Sequence, residues 1–173
     1  MTWVQTKCFT EVHGTGKDGT AVFSDARGDF SAYEGQVQVV YLDPPFMTGE
    51  DFSMRMRVGE KGWETGRDAL VLPAYQDKFS SKGEYLALLR GALENARMLL
   101  NETGSLFLHL DSRMSAHARI LCDEIFGESN FVNEIIWAYQ SGGRSMKRFS
   151  RKHDVILFYR KTKAVYFDIT AVG

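Results

Sequence analysis

Val37 to Leu42 is an apolar, β-branched run broken only by Gln38, and it stops abruptly at Asp43-Pro44-Pro45-Phe46. The run is too short for a buried helix, is rich in valine and ends in prolines, so it predicts a central strand. The Pro-Pro pair cannot donate to a sheet ladder and fixes φ, so the strand must end there. Asp43, preceding a proline, is held extended. Within the polar segment 47–76, Phe52, Met54, Met56 and Val58 alternate with Ser53, Arg55 and Arg57. That period of two predicts one strand or hairpin arm in what otherwise reads as a long loop or lid. Ser81-Lys82-Gly83-Glu84 is a capping-box pattern. It opens a helix with Tyr85, Leu86, Leu89, Leu93, Ala96 and Leu100 at helical spacing, ending near Gly104. Ser105 to Asp111 reads as a second buried strand. A helix from Ser112 to Phe126 follows, with Met114, Ala118, Leu121, Cys122 and Ile125 on one face and Gly127 as its stop. Phe131–Tyr139 and His153–Tyr159 predict two strands, and Val165–Asp168 a last one. The order implies an α/β sheet with a right-handed crossover and an antiparallel strand pair near the C-terminus.

The N-terminal part is less regular. Gly14-Thr15-Gly16-Lys17-Asp18-Gly19 is a literal GxGxxG, but a dinucleotide fingerprint needs a strand before it and a helix after. Here Thr20-Ala21-Val22-Phe23 follows, which reads as a strand, so the glycines form a turn. Arg27-Gly28-Asp29-Phe30 is then a loop before a short helix reaching Tyr33. With 173 residues and 44% of them apolar, the chain fits one domain with a real core. The two cysteines, Cys8 and Cys122, form no framework, which suggests a reducing cytoplasm. No stretch resembles a signal peptide or a membrane span.

Charge changes the picture. The net charge is −1, yet residues 140–163 hold eight basic residues against one acid, Asp154. Arg144, Lys147, Arg148, Arg151 and Lys152 fall in the loop 141–152. A mostly acidic body with one basic edge can bind a phosphate backbone locally. His109, His117 and His153 lack ligand spacing, so no metal site is expected. His109 reads as a satisfied core histidine and His117 as a surface one.

The C-terminal edge of a strand is where ligands bind in open α/β sheets. An exocyclic amine on a nucleobase is a poor nucleophile, because its lone pair is delocalised into the ring. Acceptors on both amine hydrogens favour a tetrahedral nitrogen, and the Asp43 carboxylate and Pro44 carbonyl are suited to that. Phe46 can stack on the face of a base taken out of its duplex. On four residues alone, a simple strand end with Phe46 returning to the core is the favoured reading, because Asp-Pro is a common turn starter.

More of the chain carries a resemblance. The segments are Gly28-Asp29-Phe30, Val39 through Gly49, Ala96-Arg97-Met98-Leu99-Leu100, Gly104 through Asp111, Cys122 through Phe131, and His153 through Tyr159. Together they resemble the permuted amino-methyltransferases that act on DNA, including the modification subunits of type III restriction systems. The resemblance spans residues 27–163. It implies a Rossmann-like sheet and methyl transfer from S-adenosylmethionine to the exocyclic amine of a flipped base. An acid in the first motif position is the adenine-type version. Asp43, Pro44, Pro45 and Phe46 would then be catalytic, and Asp29, Phe30 and Asp43 would contact the cofactor. The basic loop would contact DNA. The family usually has tyrosine where Phe46 stands and asparagine where Met47 stands. Its Phe-x-Gly-x-Gly cofactor loop follows the recognition region, and the chain stops at Gly173 before any such motif. The expectation is therefore an incomplete catalytic domain over 1–173 with a partial sheet. A second chain would carry the missing half, or the piece would self-associate. The rival readings are an RNA base amino-methyltransferase and an inactive nucleic-acid-binding subunit.

Overall fold

The computed structural model describes residues 7–14, 17–23, 25–47, 51–57, 69–76, 79–140, 146–147, 149 and 151–171, the backbone alone for 7–14, 17–23, 51–57 and 69–76. β1 (Lys7–Gly14) and β2 (Lys17–Phe23) form an antiparallel pair. Gly14 ends β1 and Gly19 lies within β2, so a strand rather than a helix follows the glycines, while the expected turn at Thr15-Gly16 lies outside the described residues. A 3-10 turn at Ser31–Tyr33 leads into β3 (Val37–Leu42). β4 (Asp51–Arg57) pairs antiparallel with β5 (Ala69–Gln76), so segment 47–76 contains the alternating strand and a partner arm.

α1 (Lys82–Leu99) starts where the capping pattern lies: the Ser81 hydroxyl accepts from Glu84 N at 3.2 Å. The Glu84 carboxylate reaches back one residue further than the usual box, to Ser80 N at 2.8 Å. β6 (Leu100–Asp111) follows directly, so Leu100 belongs to the strand rather than to the end of the helix. Gly104 allows this tight entry, because a Cβ there would stand 2.9 Å from the Leu100 side chain and 3.2 Å from the Gln38 carbonyl. α2 (Ser115–Phe126) ends at Gly127, whose φ of 91° suits glycine. β7 (Phe131–Ala138) and β8 (His153–Arg160) complete the elements.

The larger sheet has the order β3-β6-β8-β7. β3 and β6 run parallel, joined by a crossover that includes α1, while β8 is antiparallel to both β6 and β7. Two sequence expectations are corrected. Val37–Leu42 is an edge strand of this sheet, not a central one, with Val39 and Tyr41 54% and 55% exposed. Residues 165–168 form no strand: they lie against β6 through one bond, Tyr166 N to the Thr103 carbonyl at 3.1 Å, and end in a 3-10 turn.

Alternation along the strands sorts side chains onto two faces. Leu106, Leu108 and Leu110 of β6 and Val155, Leu157 and Tyr159 of β8 pack with Tyr85, Leu89, Leu93 and Ala96 of α1 and Ala118, Leu121, Cys122 and Phe126 of α2. Burying each such leucine contributes about 1.5–3 kcal/mol. The Tyr159 hydroxyl donates to Asp123 at 2.5 Å, tying α2 to β8. The opposite face holds Val39 and Tyr41, then Phe107, His109 and Asp111, then Ile156 and Phe158. Phe107 and Phe158 stack there at 4.7 Å. No helix among the described residues is long and apolar enough to cross a membrane.

Candidate active site

β3 delivers Asp43 to the C-terminal edge of the sheet, beside the end of its parallel neighbour β6. Asp43, Pro44, Pro45 and Phe46 line one cavity of about 360 Å³. The Asp43 carboxylate is open to it, with 60% of its side chain exposed. Two consecutive prolines remove two backbone donors and fix two φ angles, so the rim presents carbonyls at a set spacing. The chain then turns through Met47, whose φ of 55° is left-handed backbone. That conformation costs a non-glycine residue about 1–2 kcal/mol, least for asparagine. Met47 meanwhile packs as a partly buried side chain on the core. Met47→Asn should therefore hold stability within about 1 kcal/mol, and β-branched Met47→Val should lose clearly more, because such residues resist positive φ. Urea unfolding of the two variants checks this.

The sequence reading of His109 as a satisfied core histidine is corrected by its placement. His109 sits at the end of β6 with a side chain 18% exposed, on the face of the sheet opposite the helix-packed core. Its Nδ1 lies 2.8 Å from the Tyr41 hydroxyl and 3.9 Å from Asp43 Oδ1. Its Nε2 lies 3.4 Å from Asp154 Oδ2 as an ion-pair contact and makes no hydrogen bond among the described residues. The Phe46 ring leans on the imidazole, centroids 5.7 Å apart. Burial and the Asp43 carboxylate push the Tyr41 phenol up from its ordinary value, so it stays a donor. Tyr139 is raised likewise, by burial and then by Asp154. The only sequence signal was position: a histidine and an acid closing a strand that lies next to the Asp-Pro-Pro strand.

Asp29 and Phe30 are placed elsewhere. Their loop is docked on α1, where Asn95 Nδ2 donates to the carbonyls of Ala26 at 2.8 Å and Gly28 at 2.9 Å. A Cβ on Gly91 would stand 2.8 Å from the Arg27 side chain, so the loop needs that glycine to approach the helix. The Asp29 carboxylate accepts from Ser31 N at 2.9 Å, which holds it below the usual carboxylate range. Of the basic loop, Arg144 and Arg148 lie outside the described residues. Lys152 closes the base of the loop, its Nζ donating to the Gln140 carbonyl at 3.1 Å and its carbonyl accepting from Tyr139 N at 3.0 Å. Lys147 and Arg151 are exposed, and between them Phe149 is 99% exposed.

Comparison with known proteins decides what this edge belongs to. The family model described as DNA methylase matches residues 37–173, from the first residue of β3 onward. The chain belongs to the DNA methylase family. Among its relatives, the Mod subunit of the type III restriction-modification enzyme EcoP15I of Escherichia coli is 28% identical over 142 residues, covering 77% of this chain and 22% of that one. The EcoPI Mod subunit of Escherichia phage P1 is 30% identical over 153 residues, covering 83% and 23%. The chain thus spans about a quarter of the length of these relatives. Among solved structures, the PvuII DNA methyltransferase (cytosine-N4-specific) superposes with a TM-score of 0.51 at 14% identity, over 80% of this chain and 47% of that one. That likeness bears on the fold alone. It agrees with the α/β methyltransferase architecture expected from the sequence. The matching family model is one of amino-methyltransferases.

Proposed function

We propose that this chain is the catalytic half of a DNA adenine methyltransferase using S-adenosylmethionine. The observation that carries the reading is the exposed Asp43 carboxylate at the end of a parallel strand, lining one cavity with Pro44, Pro45 and Phe46. In this reading the target base is flipped into the cavity, and stacking on Phe46 replaces its lost neighbours. Asp43 and the Pro44 carbonyl accept from the amine, and the carboxylate charge supports the positive charge that develops on nitrogen. The acid at position 43 and the similarity to type III Mod subunits favour adenine.

In this reading Asp29 and Phe30 would hold part of the methyl donor. Phe30 is a half-buried aromatic face and Asp29 a carboxylate with acceptor capacity left for ribose hydroxyls, on a loop fastened by Asn95. The donor's sulfonium would supply an electrophilic methyl carbon. Nothing in the sequence offers a glycine loop for its amino-acid end. Calorimetry on this chain is therefore expected to give weak or undetectable binding of S-adenosylmethionine, and tight one-to-one binding would contradict the assignment of the cofactor residues.

The loop 141–152 would hold the DNA, with phosphate contacts from Arg144, Lys147, Arg148, Arg151 and Lys152 and an aromatic face from Phe149. Neutralising Arg144, Lys147 and Arg148 together should weaken DNA binding. It should also flatten the log–log salt dependence by about one unit per lost phosphate contact. An unchanged slope, read from binding titrations at several salt concentrations, would return the loop to a solvated turn. The reaction itself is tested with labelled S-adenosylmethionine and duplex DNA. The chain is assayed alone and supplemented with a segment carrying a Phe-x-Gly-x-Gly loop. Nucleoside digestion should give N6-methyladenine; N4-methylcytosine would correct the base, and label confined to added RNA would overturn the reading.

A further inference from the structure

We propose that His109, oriented by Asp154, takes from Asp43 the proton that the newly methylated amine must lose. The inference rests on the methyl-transfer reading above and assigns that site a second acceptor. Its starting point is an imidazole set against the rim of the cavity with one ring nitrogen, Nε2, lacking any hydrogen bond among the described residues. A buried polar atom left so is costly and calls for an explanation.

The neighbours determine the tautomer. Nε2 faces a carboxylate, Asp154 Oδ2 at 3.4 Å, and a carboxylate favours an N–H there. Nδ1 is then the lone-pair nitrogen and accepts from the Tyr41 hydroxyl at 2.8 Å. The same lone pair lies 3.9 Å from Asp43 Oδ1, within a small side-chain rotation of contact. Every ionisable neighbour fits the arrangement. Tyr41 and Asp43 come from the β3 edge, Asp154 from β8, and behind Asp154 stand Tyr139 and the cross-strand acid Asp111. Phe46 packs on the ring and limits its rotation.

The chemistry requires a proton acceptor. The electron pair of the new N–C bond comes from the amine, and the pair of the broken C–S bond stays on sulfur. The amine nitrogen then carries the methyl group, two hydrogens and a positive charge. One proton passes to the Asp43 carboxylate and from there to Nδ1 as the Tyr41 hydroxyl turns aside. The amine ends neutral, Asp43 is again an anion, and the charge resides on an imidazolium between Asp43 and Asp154. Asp154 acts through His109 and is a positioning residue.

Two measurements test this. Nitrogen-15 NMR of the free chain should show His109 as the Nε2–H tautomer, and Asp154→Ala should abolish that preference. In the supplemented assay, His109→Ala should slow single-turnover methylation about 10²-fold, the low end of general acid–base effects. Added imidazole should restore part of the rate to His109→Ala and none to Asp43→Ala. His109→Gln, which fills the space but takes no proton, guards against a folding artefact and should also be slow. An Nδ1–H tautomer in the wild type, or a wild-type rate in either His109 variant, overturns the proposal and leaves methyl transfer standing. A loss in His109→Ala untouched by imidazole also overturns it. No transfer by the wild type in any form removes the underlying reading, and the proposal with it.

Discussion

Asp43→Ala lowers methyl transfer about 10²–10³-fold or more, the scale set by removal of one preorganised electrostatic partner at a developing charge. The same change leaves stability within about 0.5 kcal/mol, as exposed substitutions do. Both halves follow from geometry. The carboxylate is 60% exposed at a strand end, and its charge partner among the described residues is His109 at 3.9 Å, so the folded state loses little with it. The amine of a bound base would lose an acceptor and the negative charge that offsets its developing positive one. Asp43→Asn separates those losses, since an amide oxygen still accepts but carries no charge; its rate should stay close to that of alanine. Transfer rates measured on the supplemented protein, beside urea unfolding of each variant, check both parts. A fully active Asp43→Ala variant would end the proposal that this edge transfers methyl groups.

Leu108→Ala should do the reverse. Leu108 is fully buried in the middle of β6, between Leu106 and Leu110, and faces the two helices. Truncation there removes apolar contact and leaves a cavity that neighbours fill only in part, a loss of about 2–5 kcal/mol. Against a total of about 5–15 kcal/mol for a typical domain, that is a large fraction. β6 is also the strand that brings His109 to the site and pairs with both β3 and β8. Loss of function in Leu108→Ala should accordingly track the unfolded fraction, and recover on cooling or at lower denaturant. Thermal unfolding followed alongside activity distinguishes it from Asp43→Ala.

The elements were legible in the sequence because local rules and burial agreed. Period 3.6 from Tyr85 to Ala96 and the Ser81 cap describe α1, the stop at Gly127 describes α2, and each signal concerns a chain segment and its own solvent boundary. The Asp-Pro-Pro edge was equally legible, since proline fixes its own backbone whatever surrounds it. Helix α1 ending at Leu99 rather than Gly104 was not, because Leu100 suits both a helix face and the β3 pairing, and the Gln38 carbonyl beside Gly104 decided between them.

Strand order was not legible either. Val37–Leu42 has the composition of a strand covered on both faces, yet it lies at an edge of the described sheet with Val39 and Tyr41 exposed. A strand's own residues state its tolerance for burial, not which neighbours arrive. His109 was hidden for the same reason. Alternation alone puts it on the opposite face from Leu108 and Leu110, but it cannot say whether that face is covered. Only the parallel pairing of β3 with β6 and the antiparallel return of β8 set His109 between Asp43 and Asp154, residues 66 positions before and 45 after it in the chain. Contacts across such separations are fixed by sheet register, and register is a property of the assembled sheet rather than of any one strand.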